Sequence, residues 1–362
     1  IRYESHTEFH RAYVEEEVAR SVAASRAREF LGSAMELQVI PDREAIPEEH
    51  RNHHTLFVAR SPAGMFKRCP GSSGHLCCNY LTIDLYAGCP LGCSYCIMKS
   101  YLSLSPITVY AELSPAIRAL REVAEKNRDR TIRVGTGEVG DSLLYDPIFR
   151  LSEELIRGVA DLANVRLELK TKSDHVDHLL QVEPKGGTVI AFSLNPQEVI
   201  DREEGWAASL ESRLSAAERA SRAGYGLAFH FDPIIRVSRW QELYEGVVRA
   251  LRRFRERDVA WVSLGTVRFT KSLKEKIDDR PYLYDEFFPS RDGKLRYLQK
   301  ERVAVYRKMR ELIDEHLGAP TYMCMESEAV WRRSFGGVPA ELSQAQAELF
   351  RWPAGVATGE EG

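Results

Sequence analysis

Residues 81–96 read LTIDLYAGCPLGCSYC, an apolar run that passes directly into a loop with three closely spaced cysteines. The run at residues 81–87 is rich in β-forming residues and ends at a glycine, a pattern that predicts a buried strand. The loop carries its thiols at C-x3-C-x2-C spacing, on Cys89, Cys93 and Cys96. Potential metal ligands directly after a strand are typical of folds whose chemistry lies at the carboxyl ends of parallel strands.

Strand and helix patterns alternate along the chain after this loop. Short β-rich runs are followed by longer segments of helical periodicity, which indicates βα units and a parallel sheet. Such a series predicts the α/β class and a partial (β/α)6-type TIM barrel. The further candidate strands lie at residues 131–134, 165–169, 188–194, 226–231, 259–264 and 321–323. The main candidate helices lie at residues 151–162, 174–181, 210–223, 240–256 and 298–316.

The composition changes along the chain and suggests three regions. Residues 8–31 are rich in Glu, Ala and Arg and predict a helix, whereas the following stretch to residue 80 contains several Pro, Gly and His residues. We therefore expect an N-terminal helical and irregular extension at 1–80 and the barrel at 81–330. A C-terminal tail is expected at 331–362.

The overall composition narrows the class of protein. The chain has 362 residues, of which 44% are hydrophobic, so it can bury a sizeable core. The formal net charge of −3 indicates no overall basic footprint for nucleic acid, although it leaves room for a local basic patch. We expect neither a secretory signal nor a membrane-spanning helix, which needs about eighteen consecutive apolar residues, and therefore a cytoplasmic location.

The use of cysteine indicates metal chemistry. Seven cysteines are an odd number in a chain with no expected export signal, which argues against a disulfide framework. Thiolates are soft ligands, and three of them on one loop can hold three irons of a [4Fe–4S] cubane while the fourth iron takes another ligand. A structural zinc site is the alternative, but such sites usually combine two CxxC knuckles or Cys/His pairs. We predict one [4Fe–4S] cluster on Cys89, Cys93 and Cys96.

The same motif, with Tyr95 directly before the third cysteine, resembles the signature of the radical S-adenosylmethionine (SAM) superfamily. The resemblance implies that SAM binds the open iron through its amino and carboxylate groups. It also implies that an electron from the cluster cleaves SAM to a 5′-deoxyadenosyl radical, which abstracts hydrogen from a substrate. Tyr95 is therefore a candidate catalytic residue, and we expect an electron donor such as flavodoxin or ferredoxin.

Polar residues at the ends of later strands could complete a SAM site. The second expected strand runs into GTGE at residues 135–138, which resembles the Gly-Gly-Glu stretch of the superfamily through Gly137 and Glu138. A glycine allows close backbone approach, and a carboxylate can accept hydrogen bonds from the SAM ammonium. Lys172 and Ser193 follow the next two strands, where they could bind the SAM carboxylate and another polar group. A tight turn, a surface charge and a strand-end cap are the alternative interpretations.

Over residues 80–275 the chain also resembles the spore photoproduct lyase family. Besides the cysteine loop, the matching stretches are TKSDHVDHLL at 171–180, FSLN at 192–195, GYGL at 224–227, DPIIR at 232–236 and RFTK at 268–271. The resemblance implies a partial TIM barrel, SAM, one [4Fe–4S] cluster, and Lys172 and Ser193 as SAM contacts. Asn195 closes one of these stretches and is a further candidate cofactor-binding residue.

The chain departs from this family at two positions that matter for its chemistry. Family members repair a thymine dimer in DNA with a donor cysteine near the end of the second strand and a tyrosine directly after the third cluster cysteine. Glu138 and Ile97 stand at these two positions here. We infer an enzyme of this group that acts on a different substrate or ends its reaction differently, with nucleotides and nucleic acids as candidate substrates. A photoproduct lyase and a non-catalytic iron–sulfur protein are the alternatives.

Four further cysteines lie outside the cluster loop. Cys69, Cys77 and Cys78 precede it, and Cys324 lies near the end of the last expected strand. They could ligate a second cluster, or one of them could donate hydrogen in place of the missing thiol. Cys324 is a candidate catalytic residue because a thiol at a strand end could face the radical.

The cluster assignment predicts the effect of removing one ligand. The wild-type protein should be brown, sensitive to oxygen and contain about four irons per chain. Cys93→Ala should lose most of this iron and all SAM cleavage, because a cubane held at two corners is weakly bound. Iron and sulfide assays on anaerobically purified protein measure the change, and full iron retention in the variant would contradict the assignment.

Overall fold

The computed structural model describes residues 2–3, 7–71, 74–76, 78, 80–100, 105–277 and 280–338. Within these residues, seven parallel strands and one antiparallel strand form one curled sheet. The parallel strands pair in chain order, and the first and seventh described strands do not pair with each other, so the barrel stays open. The barrel strands, numbered first to seventh below, are Leu81–Ile83, Ile132–Thr136, Val165–Thr171, Thr188–Ser193, Gly226–Ile234, Val259–Thr266 and Thr321–Met323.

This sheet confirms the predicted α/β class and the partial (β/α)6-type TIM barrel. The antiparallel strand Phe66–Arg68 extends the sheet beyond the first barrel strand. A smaller antiparallel sheet follows the sixth barrel strand, and a short pair of strands lies near the N-terminus. The strands of these two sheets are Arg268–Phe269, Phe287–Pro289, Leu295–Tyr297, Arg2–Tyr3 and Thr7–Glu8.

Helices connect the barrel strands and pack against the outer face of the sheet. Leu210–Arg222 is an example: it begins where the Ser209 side chain accepts a hydrogen bond from Ser212 N, and it buries Leu214 and Ala217 against the fourth and fifth strands. The other described helices are Val22–Leu31, Ser114–Lys126, Asp146–Phe149, Leu151–Val159, Gln197–Glu203, Trp240–Ala250, Lys271–Lys276, Gln299–His316 and Glu328–Phe335. None of the helices in the described ranges has the length and apolarity needed to cross a bilayer.

Alternation along the barrel strands separates an apolar outer face from a polar inner face. On the third strand, Leu167 and Leu169 pack outward into the main hydrophobic core, so Glu168 and Lys170 point into the barrel. The inner face also carries a small apolar cluster that includes Trp261. Polar groups inside an open barrel provide a site for chemistry at the carboxyl ends of the strands.

The N-terminal region differs from the expected helix over residues 8–31. The structure has a strand at Arg11–Glu15, and the helix begins only at Val22, after Ser21 accepts a hydrogen bond from Ala24 N. The strand forms because Arg11–Glu15 pairs in parallel with Thr55–Ala59, which buries its central residues. Sheet pairing overrides the helical composition of this segment.

This N-terminal sheet extends past residue 80. It contains Gln38–Ile40, Arg11–Glu15, Thr55–Ala59, Ile107–Tyr110 and Tyr86–Ala87, in that order. The strand that leads into the cysteine loop is therefore part of it. The division at residues 80 and 330 stays a proposal, and residues 339–362 of the expected tail lie outside the described part of the chain.

The helix expected at residues 174–181 is also shorter than predicted. Only Asp177–Leu179 forms a 3-10 turn there. The His178 side chain is drawn to the buried Asp146, with Nε2 2.7 Å from Oδ2. This long-range contact holds the segment as a turn, and it is invisible to a sequence pattern.

Candidate active site

The cysteine loop leaves the N-terminal sheet at a glycine whose conformation the loop requires. Gly88 has φ +87° and donates its N–H to Val139 O at 2.9 Å, which ties the loop to the end of the second barrel strand. A Cβ at this position would lie 3.1 Å from Pro106 O. The loop therefore begins where only glycine fits without strain.

The middle of the loop is held by the segment after the helix Gln197–Glu203. Ser94 N donates to Glu203 O at 2.8 Å, and Trp206 N donates to Leu91 O at 2.9 Å. Gly205 lies in the chain between Glu203 and Trp206 and has φ +50°. A Cβ at this position would lie 2.3 Å from Leu91 O. These backbone contacts fix the shape of the cysteine loop.

The three cysteines differ in exposure. Cys89 is exposed, Cys96 is half-buried, and Cys93 is 8% exposed. Burial raises the pKa of the Cys93 thiol to about 12, so this side chain becomes a thiolate only beside a strong positive charge such as iron. The donor set fits a cubane in which three irons take one thiolate each and the fourth stays open.

No three His, Cys, Asp or Glu side chains in the described segments are grouped to hold one metal ion. A cubane does not need such a group, because its ligands sit on different irons. A second cluster on the other cysteines stays a prediction, and Cys69 lies close enough to Cys324 to contribute to the raised pKa of its thiol. Cys69 and Cys78 are half-buried, and Cys77 lies outside the described residues.

A buried charge cluster lies directly behind the loop. Its centre is Glu204, whose carboxylate accepts hydrogen bonds from Tyr95 OH at 2.5 Å, Asn195 Nδ2 at 2.7 Å and Arg213 Nη2 at 2.5 Å. Glu204 and Arg213 are both 0% exposed. We call these four residues the Glu204 cluster; its two charges, Glu204 and Arg213, were not recognised from the sequence.

The Glu204 cluster joins the loop to the end of the fourth barrel strand. Arg213 also donates to Ser193 O at 2.7 Å and to Ala208 O at 2.9 Å. Burial disfavours the Glu204 carboxylate, but the charges of Arg213 and Lys172 keep its pKa below the usual value. The pair is therefore ionised, and its hydrogen bonds are charge-assisted.

Lys172 lies beside the Glu204 cluster, and its ammonium can bind a ligand. Its Nζ lies 5.8 Å from the centre of the Tyr95 ring, and within the described residues it makes no hydrogen bond or ion pair. Burial opposes the ammonium, but Cys93 and Glu204 raise the pKa of Lys172 above its usual value. An ammonium at this place fits the expected contact with the SAM carboxylate.

Glu138 lies at the end of the second barrel strand, and its carboxylate is opposite in charge to the Lys172 ammonium. Its side chain is mostly buried, its Oε2 has no hydrogen-bond partner among the described residues, and Lys67 Nζ lies 3.8 Å away. Burial raises its pKa above the usual value. Gly137 before it has φ +86°, and a Cβ there would lie 2.7 Å from Ser142 Oγ. An unsatisfied carboxylate oxygen fits the ammonium of SAM.

Two other predicted cofactor contacts lie at the end of the fourth strand. Ser193 is buried beside His230 of the fifth strand. Asn195 has both ends of its amide bonded, because Oδ1 accepts from Tyr244 OH at 2.7 Å and Nδ2 donates to Glu204. The structure therefore gives Asn195 a supporting position, and its SAM contact stays a prediction. Tyr95 likewise uses its hydroxyl within the Glu204 cluster.

The inner face of the barrel carries a second polar network. Arg133 donates to Tyr322 OH at 3.0 Å, and its guanidinium lies 4.0 Å from the centre of the Trp261 ring. Glu168 forms ion pairs with Arg133 and His230. These charges lower the pKa of Glu168 to about 2 although the side chain is fully buried. This network was not predicted from the sequence, and the alternation of polar residues in otherwise apolar strands is the signal that points to it.

Cys324 lies just beyond the seventh strand, at the same end of the barrel. Its backbone N–H donates to Leu264 O at 2.8 Å. Burial, followed by the charge of Asp232, raises the pKa of its thiol to about 12, while Arg268 and Lys170 act in the opposite direction. Cys324 is therefore a neutral thiol surrounded by inward-facing charges.

The comparisons with known proteins decide the family. The model of the spore photoproduct lyase family matches residues 52–302, which include the cysteine loop and most of the barrel. The chain belongs to the spore photoproduct lyase family. The predicted membership in the radical SAM superfamily is thereby confirmed, and the family implies a [4Fe–4S] cluster and SAM.

Individual relatives agree with this family. The chain is 30% identical to spore photoproduct lyase of Geobacillus sp. (strain Y412MC61), over 55% of this chain and 59% of the relative. It is 29% identical to the Bacillus subtilis (strain 168) protein, over 54% and 58% of the two chains. The sequence matches thus span less than two thirds of either relative.

Solved structures extend the likeness to the fold. Spore photoproduct lyase complexed with dinucleoside spore photoproduct has a TM-score of 0.76 and 25% identity, and the match covers 88% of this chain and 99% of that one. A variant of that enzyme with bound AdoMet and the same dinucleoside has a TM-score of 0.76 at 24% identity, with the same coverage.

The unsatisfied oxygen of Glu138 leads to a prediction about SAM binding. Glu138→Gln should weaken SAM affinity by about 1–3 kcal/mol, the usual cost of losing a charge-assisted hydrogen bond. Iron content should not change, because no thiolate is touched. Equilibrium binding of SAM to the anaerobic protein measures the effect, and Glu328→Gln, an exposed glutamate, is the matched control.

An alternative role for Glu138 predicts a different result. If Glu138 were an acid or base toward the substrate, the variant would bind SAM normally and form some 5′-deoxyadenosine, but it would lose the product. Unchanged SAM affinity in Glu138→Gln would rule out the ammonium contact.

Proposed function

We propose that this chain is a radical SAM lyase that repairs a thymine dimer of the spore photoproduct type and returns hydrogen to the product from Cys324. The family match over residues 52–302 carries the proposal for the substrate. It is supported by the relative of the same fold that binds the dinucleoside photoproduct. The position of Cys324 among the inward-facing charges supports the proposal for the hydrogen donor.

The chain's own residues would bind both cofactors. Cys89, Cys93 and Cys96 would hold the cluster, and Lys172 and Glu138 would bind the carboxylate and ammonium of SAM. Gly137 would allow close approach, and Ser193 would bind a further polar group. When bound, cluster and SAM together supply a carbon radical that abstracts hydrogen from the substrate.

The Glu204 cluster would position these residues. Its bonds to Tyr95 and to Ser193 O hold the cysteine loop and the fourth strand in one arrangement. Tyr95 also places its ring against the Lys172 ammonium. In this proposal Tyr95 and Asn195 support the cofactor site, and Tyr95 does not react.

The thiol of Cys324 would end the reaction on the substrate. Its S–H bond breaks homolytically, and the hydrogen atom forms a C–H bond on the substrate radical. The sulfur radical that remains returns to a thiol by taking up one electron and one proton. A one-electron carrier of the flavodoxin or ferredoxin class supplies the electron, and solvent supplies the proton.

Glu138 favours a second candidate function, a radical SAM reaction on a different substrate. A carboxylate stands where the family places its donor cysteine, and Lys67 lies 3.8 Å from it. A carboxylate cannot donate a hydrogen atom to a carbon radical as a thiol can. A substrate that needs no hydrogen return would not require a thiol at this position.

One incubation in D2O tests the substrate and the donor together. Anaerobic wild-type protein with SAM, dithionite and dinucleoside spore photoproduct should form thymidine that carries deuterium from solvent, because the Cys324 thiol exchanges with D2O. Cys324→Ala should still cleave SAM but lose the deuterated product. Mass spectrometry of the nucleosides measures both, with Cys69→Ala and Cys78→Ala as control thiol variants.

Each other result points to a different conclusion. Formation of 5′-deoxyadenosine without thymidine would favour the second candidate function, and an intact cluster without 5′-deoxyadenosine would favour a non-catalytic iron–sulfur protein. Equal deuterium in wild type and Cys324→Ala would exclude Cys324 as the donor.

A further inference from the structure

Lys170 occupies the inner face of the third barrel strand below the expected SAM site. Leu167 and Leu169 pack outward, so Glu168 and Lys170 face the interior, and Lys172 continues this face beyond the strand end. Two residues along a strand span about 6.5 Å. Lys170 is therefore one step deeper in the barrel than the lysine expected to bind SAM.

The surroundings of Lys170 place it next to the expected SAM site. Its register partner on the fourth strand is Ala191, which belongs to the inner apolar cluster, and a Cβ at Gly137 would lie 3.1 Å from Lys170 O. Although burial opposes this, Arg268, and after it Lys170, keep the pKa of Asp232 on the fifth strand below its usual value. A substrate between SAM and Cys324 would lie within its reach.

The neighbouring carboxylates already have other partners. Asp232 forms a two-bond ion pair with Arg268, at 3.0 and 3.2 Å. Asp84 pairs with Lys67 at 2.9 Å. Within the described residues, the Lys170 ammonium makes no ion pair and no hydrogen bond. A half-buried ammonium in this state can donate its hydrogen bonds to a ligand in the barrel.

The balance of charge indicates what kind of acceptor fits. Glu168 forms ion pairs with Arg133 and His230, and Lys67 forms ion pairs with both Glu138 and Asp84. These inward-facing pairs cancel one another, and the SAM carboxylate would pair with Lys172. Lys170 is then a single additional cation among the described residues, whereas a phosphate carries more negative charge than one ammonium balances. An uncharged ring with carbonyl oxygens fits this environment better.

We propose that Lys170 is a substrate-binding residue whose ammonium donates to a carbonyl oxygen of an uncharged pyrimidine base held beneath SAM. This inference rests on the proposed function and adds to it the group that recognises the base. The contact would orient the base so that its reacting carbon faces SAM on one side and the Cys324 thiol on the other.

Binding measurements on Lys170→Met test the contact. With SAM present, the variant should bind dinucleoside spore photoproduct and thymidine roughly 10- to 100-fold more weakly than wild type, the range expected for a hydrogen bond to a charged group. SAM affinity and iron content should be unchanged. Lys170→Arg should recover part of the loss, and Lys300→Met, an exposed lysine on the helix Gln299–His316, is the matched control.

The two probes separate this inference from the proposed function. If the dinucleoside binds equally well to wild type and Lys170→Met, the Lys170 contact is wrong while the substrate proposal stands. If thymidine binding depends on Lys170 but the dinucleoside neither binds nor reacts, the contact stands and the dimer substrate is wrong. If neither probe binds to wild type, both are wrong. Stronger Lys170-dependent binding of inorganic phosphate than of thymidine would also overturn the carbonyl contact.

Discussion

Two opposite charges without solvent exposure, Glu204 and Arg213, lie between the cysteine loop and the fourth barrel strand. Tyr95 from the loop and Asn195 from the strand end complete the carboxylate's hydrogen bonds. Removing one partner of such a pair leaves an uncompensated buried charge and costs about 3–5 kcal/mol. The loop and the strand ends therefore keep one relative position, and every cofactor contact proposed for Lys172, Ser193 and the cysteines depends on it.

The barrel interior is organised by a different rule. Most of its cations and carboxylates are paired across strands, as Arg268 is with Asp232 and Arg133 with Glu168. The exceptions are Lys170 and Lys172, which lie on one face of the third strand and make no ion pair within the described residues. Charged side chains without an ion-pair partner, in a barrel interior where most other charges are paired, are candidate contacts for a ligand. In the proposed function Lys172 binds the cofactor, and in the further inference Lys170 binds the substrate.

The sequence predicted the cysteine loop and the succession of barrel strands, because motif spacing and βα alternation are local signals. The predicted ends of the strands were less accurate: the strand expected at 226–231 is Gly226–Ile234, and the one expected at 81–87 is divided into Leu81–Ile83 and Tyr86–Ala87. It did not reveal Glu204 and Arg213, since they lie in a stretch rich in Glu, Arg and Ser that resembles an exposed helix. Their burial arises from contacts with Tyr95 and Ser193, which are distant in sequence. The prediction of a helix over residues 8–31 was wrong for the same reason. Long-range pairing with the strand Thr55–Ala59 outweighs the helical composition of this segment. Lys170 was within reach of the sequence, since alternation with Leu167 and Leu169 already places it inside.

In the proposed site the three cysteines leave one iron open, and SAM binds there beside Lys172 and Glu138. This arrangement can be tested by the electron paramagnetic resonance spectrum of the dithionite-reduced protein, recorded before and after addition of SAM. We expect the signal of a reduced [4Fe–4S] cluster whose g-values change when SAM is added. A cluster signal that SAM leaves unchanged, or iron that gives no such signal after reduction, would contradict it.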